Sequence, residues 1–196
     1  MKISRVGHAV QITSKKITSK KITSKPIPLK GEIKLEIERK FLVKHLPRNY
    51  RQYPHKYMEQ GYLFTKEGTS FRLRETAHKD DDMTIKLGTG STKPELAYEF
   101  PKVFYKALWN ETKGARLKKT RYEIPYDKWT IELDIYHGRL EGFYTAEVEF
   151  DSEEEADEFI LPEWFGREVT GIKGFTNRNL ATKGVPRKLL RKLARS

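Results

Sequence analysis

Residues 36–40 read Glu-Ile-Glu-Arg-Lys. On an extended strand, alternate side chains share a face, so Glu36, Glu38 and Lys40 stand together while Ile37 and Arg39 point away. Like charges two residues apart lie about 7 Å from each other. They repel by roughly 0.6 kcal/mol in water and about 2.4 kcal/mol at an effective dielectric near 20. The same pairing recurs along the chain. Arg72 and Arg74 share a face, as do Glu95 and Glu99, Lys119 and Arg121, Glu132 and Asp134, and Glu147 and Glu149; Lys86 stands with Thr84. An ordinary sheet with one face in water gives this alternation too. Same-sign pairs on nearly every strand favour an enclosed face with a cationic wall and an acidic wall. Arginine and lysine hold phosphoryl oxygens, and clustered carboxylates hold hard cations such as Mg²⁺ or Mn²⁺. The chemistry is that of a polyanion bound with divalent metal.

The elements that must position these residues are short strands. The patterning predicts strands over 33–43, 57–64, 70–76, 83–87, 95–101, 117–124, 129–137 and 144–150, with 88–92 as a hairpin loop. Residues 102–113 read as a helix. Ser152 with Glu155 forms a capping-box signature for a helix through Ile160. Many strands and few helices predict an α+β fold that is mainly antiparallel β, a barrel or sandwich with packed helices.

The 196 residues carry a net charge of +12, which would suit nucleic acid, but the basic residues concentrate in the tails. Residues 1–30 and 182–196 contain no Asp or Glu, and residues 31–181 are slightly acidic. No basic-aromatic run or helix-turn-helix pattern appears in that middle, so a nucleic-acid partner is not expected. There is no cysteine, hence no disulfide framework or thiolate metal site. No apolar run approaches a membrane span and no secretory leader is present, so the expected location is cytoplasmic. Residues 12–25 repeat Ile-Thr-Ser-Lys at a period that fits neither helix nor strand. The expected organisation is a basic low-complexity tail over 1–31, one domain over 32–181, and a basic C-terminal segment over 182–196 that forms a frayed helix.

The ordered set of segments resembles the CYTH domain of the triphosphate tunnel metalloenzymes. Residues 36–40 match its signature ExExK. The similarity continues through QGYL at 60–63, RLR at 72–74, TIK at 84–86, YE at 98–99, KTRY at 119–122, ELD at 132–134, EVEF at 147–150 and WFGREVT at 164–170. It is greatest with the bacterial-type inorganic triphosphatase branch. The resemblance implies an eight-stranded closed antiparallel tunnel that hydrolyses a small triphosphate with Mg²⁺ or Mn²⁺. By matching position, it implies metal ligation by Glu36, Glu38, Glu99, Asp134, Glu147 and Glu149. Phosphate binding falls to Lys40, Arg72, Arg74, Lys86, Lys119 and Arg121. Glu36, Lys40 and Lys173 are its catalytic candidates, with Lys173 near one tunnel mouth. One departure stands out: the family carries a second glutamate two residues before Glu99, where this chain has Ala97, with Glu95 one strand step further back.

The expected reaction is tripolyphosphate to pyrophosphate and phosphate. On the same fold, the alternatives are an adenylate cyclase and a thiamine or nucleoside triphosphatase. A polyphosphate-binding module without catalysis is the non-enzymatic alternative.

Overall fold

The computed structural model describes residues 31–66, 69–76, 82–87, 92–99 and 102–193, with side chains at 37–63, 71–75 and 105–191. Residues 1–30 of the tail predicted over 1–31, residues 88–91 of the loop predicted over 88–92, and residues 194–196 lie outside the described residues, while Gly31 and Thr92 begin strands.

Among the described residues, nine strands form one sheet: β1 (Gly31–Val43), β2 (His55–Lys66), β3 (Thr69–Thr76), β4 (Asp82–Leu87), β5 (Thr92–Glu99), β6 (Arg116–Tyr126), β7 (Trp129–His137), β8 (Tyr144–Phe150) and β9 (Phe165–Glu168). The spatial order is β5-β4-β3-β2-β6-β7-β8-β1-β9, and β1 also pairs with β5. Every ladder is antiparallel. Mainly antiparallel β with few helices is therefore the architecture, as the alternation predicted. Several strands run one to three residues beyond the predicted ends, because pairing with a neighbour extends past the alternating core of each pattern, while β5 stops at Glu99, short of the predicted 101.

β7 shows why these residues form strands. Ile131, Leu133 and Ile135 alternate with Glu132, Asp134 and Tyr136, so each face has its own chemistry. A two-residue turn, Asp127-Lys128, joins β6 to β7 across the Tyr126–Trp129 pair. Asp127 sits at φ 53°, a value that tight hairpins require and that Asp tolerates.

Among the described residues, four α-helices accompany the sheet: α1 (Lys102–Glu111), α2 (Glu153–Glu158), α3 (Asn177–Lys183) and α4 (Arg187–Leu193). α1 packs on β2 at Gly61, where a Cβ would stand 2.6 Å from Thr112 Oγ1. At α2 the expected cap is present: Ser152 Oγ accepts from Glu155 N at 3.2 Å. The helix stops before Ile160 because Phe159 turns extended and buries its ring, while Ile160 is 76% exposed. Phe159 meets Tyr126, Trp129 and Phe150 edge-on, and burying such a ring contributes about 1.5–3 kcal/mol.

Two apolar clusters lie on opposite faces. The first joins Phe41, Ile131, Leu133, Ala146 and Val148 with Phe159 and Phe165. It lies on the face away from the charges. The second joins Tyr62, Leu117 and Tyr136, which share the charged face, with Phe175, Leu180 and Ala181 from the C-terminal segment. The turn at 173–175 and α3 thus pack onto the charged face. α3 runs through residue 182, where sequence patterning starts a separate segment, and Leu189 and Leu190 of α4 rest on the same cluster.

Sequence patterning missed β9 and α3. β9 has only four residues, too few for a period. Its place beside β1 is fixed by Gly166, where a Cβ would meet Leu42 O at 2.9 Å. It is also fixed by Arg39, whose guanidinium donates twice to the Glu168 carboxylate, at 3.2 and 2.7 Å.

Candidate active site

Residues paired across a ladder project to the same face. β1 pairs with β8 at Lys40–Glu147 and Glu38–Glu149. β8 pairs with β7 at Glu147–Glu132 and Thr145–Asp134. β7 pairs with β6 at Asp134–Arg121 and Tyr136–Lys119. β6 pairs with β2 at Lys119–Met58, and β2 with β3 at Gln60–Arg74 and Tyr62–Arg72. β3 then pairs with β4 at Arg72–Thr84 and Ser70–Lys86, and β4 with β5 at Asp82–Glu99, Thr84–Ala97 and Lys86–Glu95. Back on β1, Ala97 stands opposite Glu32, and Glu36 opposite Lys93. The register therefore assigns every predicted strand residue to one face. For Glu36, Lys86 and Glu99 only the backbone register is known; their side chains lie outside the described residues.

On the described part of this face, cations and carboxylates form one buried network. Lys40 Nζ donates to Glu147 Oε1 at 2.7 Å, and Arg121 reaches Glu147 Oε2 at 2.5 Å. Arg121 also makes a bidentate pair with Asp134, at 2.7 Å to each oxygen, and bonds Glu132. Lys119 Nζ meets Asp134 Oδ2 at 2.5 Å and lies 6.0 Å from the Tyr136 ring centre. Asp134 is 0% and Lys119 1% exposed, so neither charge has water to fall back on.

The pKa directions follow from this packing. Burial works to raise the Glu147 carboxyl, but Lys40, Arg121 and Lys119 outweigh it and hold it well below the usual range. Burial works to lower Lys40, yet Glu147, helped by Tyr136 and Asp134, raises it. Arg121 behaves alike: burial is outweighed by Asp134, Glu132 and Glu147, and the guanidinium stays charged. Lys119 goes the other way. Burial first, then the Arg121 guanidinium, push its ammonium down to about 8. Burial raises the Glu132 carboxyl and the Tyr136 phenol.

Glu38 and Glu149 stand directly across the β1–β8 ladder, with Glu149 exposed. Opposed carboxylates destabilise a sheet unless a cation lies between them. No group of three or more Asp, Glu, His or Cys among the described residues is gathered closely enough to hold a metal alone. This donor set still fits Mg²⁺ or Mn²⁺, which bind through one or two carboxylates and complete their shell with substrate phosphate. Lys173 is exposed, in the turn before α3, rather than in the network.

Three residues of the site were missed from sequence. Tyr136 and Thr145 are the next same-face positions after Asp134 and before Glu147, so the alternation itself could have named them. Asn177 has no such signal. Its Oδ1 accepts from Tyr136 OH at 2.5 Å and from Lys40 Nζ at 3.5 Å.

No protein-family model matches the chain. It is 39% identical over 150 residues to the inorganic triphosphatase of Nitrosomonas europaea, covering 74% of this chain and 96% of that protein. It is 34% identical over 154 residues to the inorganic triphosphatase of Acetivibrio thermocellus, covering 74% and 92% respectively. A crystal structure of an inorganic triphosphatase has 37% identity and a TM-score of 0.57, covering 76% of this chain and 95% of that one.

Proposed function

The chain belongs to the CYTH family of triphosphate tunnel metalloenzymes, in its inorganic triphosphatase branch, and from that premise we propose that it hydrolyses tripolyphosphate to pyrophosphate and phosphate with Mg²⁺ or Mn²⁺. The observation that carries this reading is the buried network of Lys40, Lys119 and Arg121 against Glu132, Asp134 and Glu147. Five of these six ionisable groups are buried and Glu132 is half-buried; such burial costs several kcal/mol per ion before pairing, and a metal-bound polyanion gives the arrangement a use. We read β1–β8 as a closed ring around that network, which the pairing of β1 with both β8 and β5 supports.

Lys40 and Arg121 would donate to the phosphoryl oxygens, with Arg72, Arg74 and Lys86 extending the clamp from β3 and β4. Glu38, Glu147, Glu149 and Asp134 would hold metal, together with Glu36 and Glu99. Those residues would hold a divalent cation, whose chemistry when bound would be to neutralise the polyanion and lower the pKa of a water. Lys119 Nζ, buried against Asp134 Oδ2 at 2.5 Å, would hold that carboxylate in place and add its charge to the phosphate-binding wall. Lys40 and Arg121 remain charged and would stabilise the leaving pyrophosphate.

The test is a panel of tripolyphosphate, ATP and thiamine triphosphate with Mg²⁺ or Mn²⁺, scored for phosphate, cyclic AMP and binding. Pyrophosphate and phosphate from tripolyphosphate are expected, at a higher kcat/KM than any product from the other two. Cyclic AMP from ATP, or tight binding with no product, would overturn the assignment.

A further inference from the structure

Lys40 is held at both its backbone and its side chain. Its N–H donates to Thr170 Oγ1 at 2.9 Å, and its carbonyl accepts from Val169 N at 2.8 Å. An ammonium has three N–H groups. One is directed at Glu147 Oε1 and one, over a longer distance, at Asn177 Oδ1. That leaves one for a phosphoryl oxygen. Glu147 is an unreliable guide during turnover, because the same carboxylate is a candidate metal ligand and already serves Arg121. Were Glu147 to hold a metal ion, Asn177 would be the acceptor left to Lys40 among the described residues. A neutral amide is well suited to aim the ammonium, because it neither neutralises that charge nor competes for metal.

Asn177 is itself fixed from two sides. The Tyr136 hydroxyl, buried on β7, donates to Oδ1 at 2.5 Å. Behind it, Phe175, Leu180 and Ala181 are fully buried in the second cluster, and Arg139 donates to the carbonyls of Leu180 and Ala181. The amide therefore stands on a rigid element, as a group that must aim another side chain requires.

We propose that Asn177 is a positioning residue for Lys40, acting through the acceptor it shares between the Lys40 ammonium and the Tyr136 hydroxyl. The proposal rests on the reading of Lys40 as a phosphate ligand.

The test is a double-mutant cycle with tripolyphosphate as substrate. Asn177→Ala should lower kcat/KM about 10- to 100-fold, mainly through kcat, since misplacing a reacting group by an ångström costs on that order. In the Lys40→Ala background the same change should cost less than about twofold, because nothing is left to aim. Tyr136→Phe keeps the ring and removes the hydroxyl that holds the amide. It should show the same non-additivity with a smaller drop, and it keeps the question answerable if Asn177→Ala fails to fold. Equal losses in both backgrounds, or unchanged kinetics in the single variants, would overturn the proposal. Normal turnover in Lys40→Ala alone would overturn the phosphate role of Lys40 beneath it, so the two failures are distinguishable.

Discussion

Replacing Glu147 by Gln tests the network at its hub. The side chain keeps its shape and loses its charge. At present one oxygen serves Lys40 at 2.7 Å and the other serves Arg121 at 2.5 Å. A glutamine carbonyl can serve only one of them, and its NH₂ then faces the other, donor against donor. Removing one partner of a buried pair costs about 3–5 kcal/mol. The lower end applies here, because Arg121 retains Asp134 and Glu132 and Lys40 retains Asn177. For a chain of this size, about 3 kcal/mol lowers Tm by roughly 6–12 °C. The pH dependence has a definite sign. The Glu147 carboxyl is depressed from 4.5 in the folded chain. Its contribution is therefore complete above that value and is lost as pH falls through the folded value. Thermal unfolding followed by circular dichroism, with a chelator present, should show the largest wild-type-to-variant gap near pH 7 and a narrowing gap below pH 4.5. The variant also leaves an excess positive charge among the six groups, so added tripolyphosphate should raise its Tm more than that of the wild type. A variant within about 2 °C of wild type at pH 7, or a gap that stays constant into acid, would refute the reasoning.

Lys40→Ala should lower turnover on the order of a hundredfold, as losing one oxyanion donor does. Glu36→Gln should instead weaken metal binding, so that excess Mn²⁺ recovers part of the rate in a metal titration. Lys119 is depressed from 10.5 to about 8, so between those values the unfolded chain carries a proton that the folded chain has lost. Its contribution to stability rises with pH across that window, and the wild-type-minus-Lys119→Met difference in denaturant unfolding should rise with it. Gly61→Ala would place a Cβ 2.6–2.8 Å from the Thr112 side chain, which is fully buried and bonded to Trp109 O and Arg116 Nε. Overpacking there should cost about 1–3 kcal/mol in the same unfolding assay.

Sequence alone determined which residues share the charged face. The strand period is two, so Glu36, Glu38 and Lys40 align however the sheet is assembled, as do Glu132 and Asp134, and Glu147 and Glu149. It determined most element types as well, β9 and α3 excepted, because eight strands alternated over enough residues to show their period and Ser152 announced its helix. Sequence could not settle which charges pair, because cross-strand partners depend on register between segments far apart in the chain. Lys40 meets Glu147 across 107 residues, and no local preference encodes that distance. Nor could it place Asn177 beside Lys40. That contact exists because Phe175, Leu180 and Ala181 bury themselves against Tyr62, Leu117 and Tyr136, and hydrophobic burial is indifferent to sequence separation. Tertiary packing alone decided that the polar network would be dry, and with it the opposite pKa shifts of Lys40 and Lys119. Two lysines with the same intrinsic chemistry diverge because Lys40 has one oxygen of Glu147 to itself, Arg121 taking the other, while Lys119 shares the single oxygen Asp134 Oδ2 with the Arg121 guanidinium.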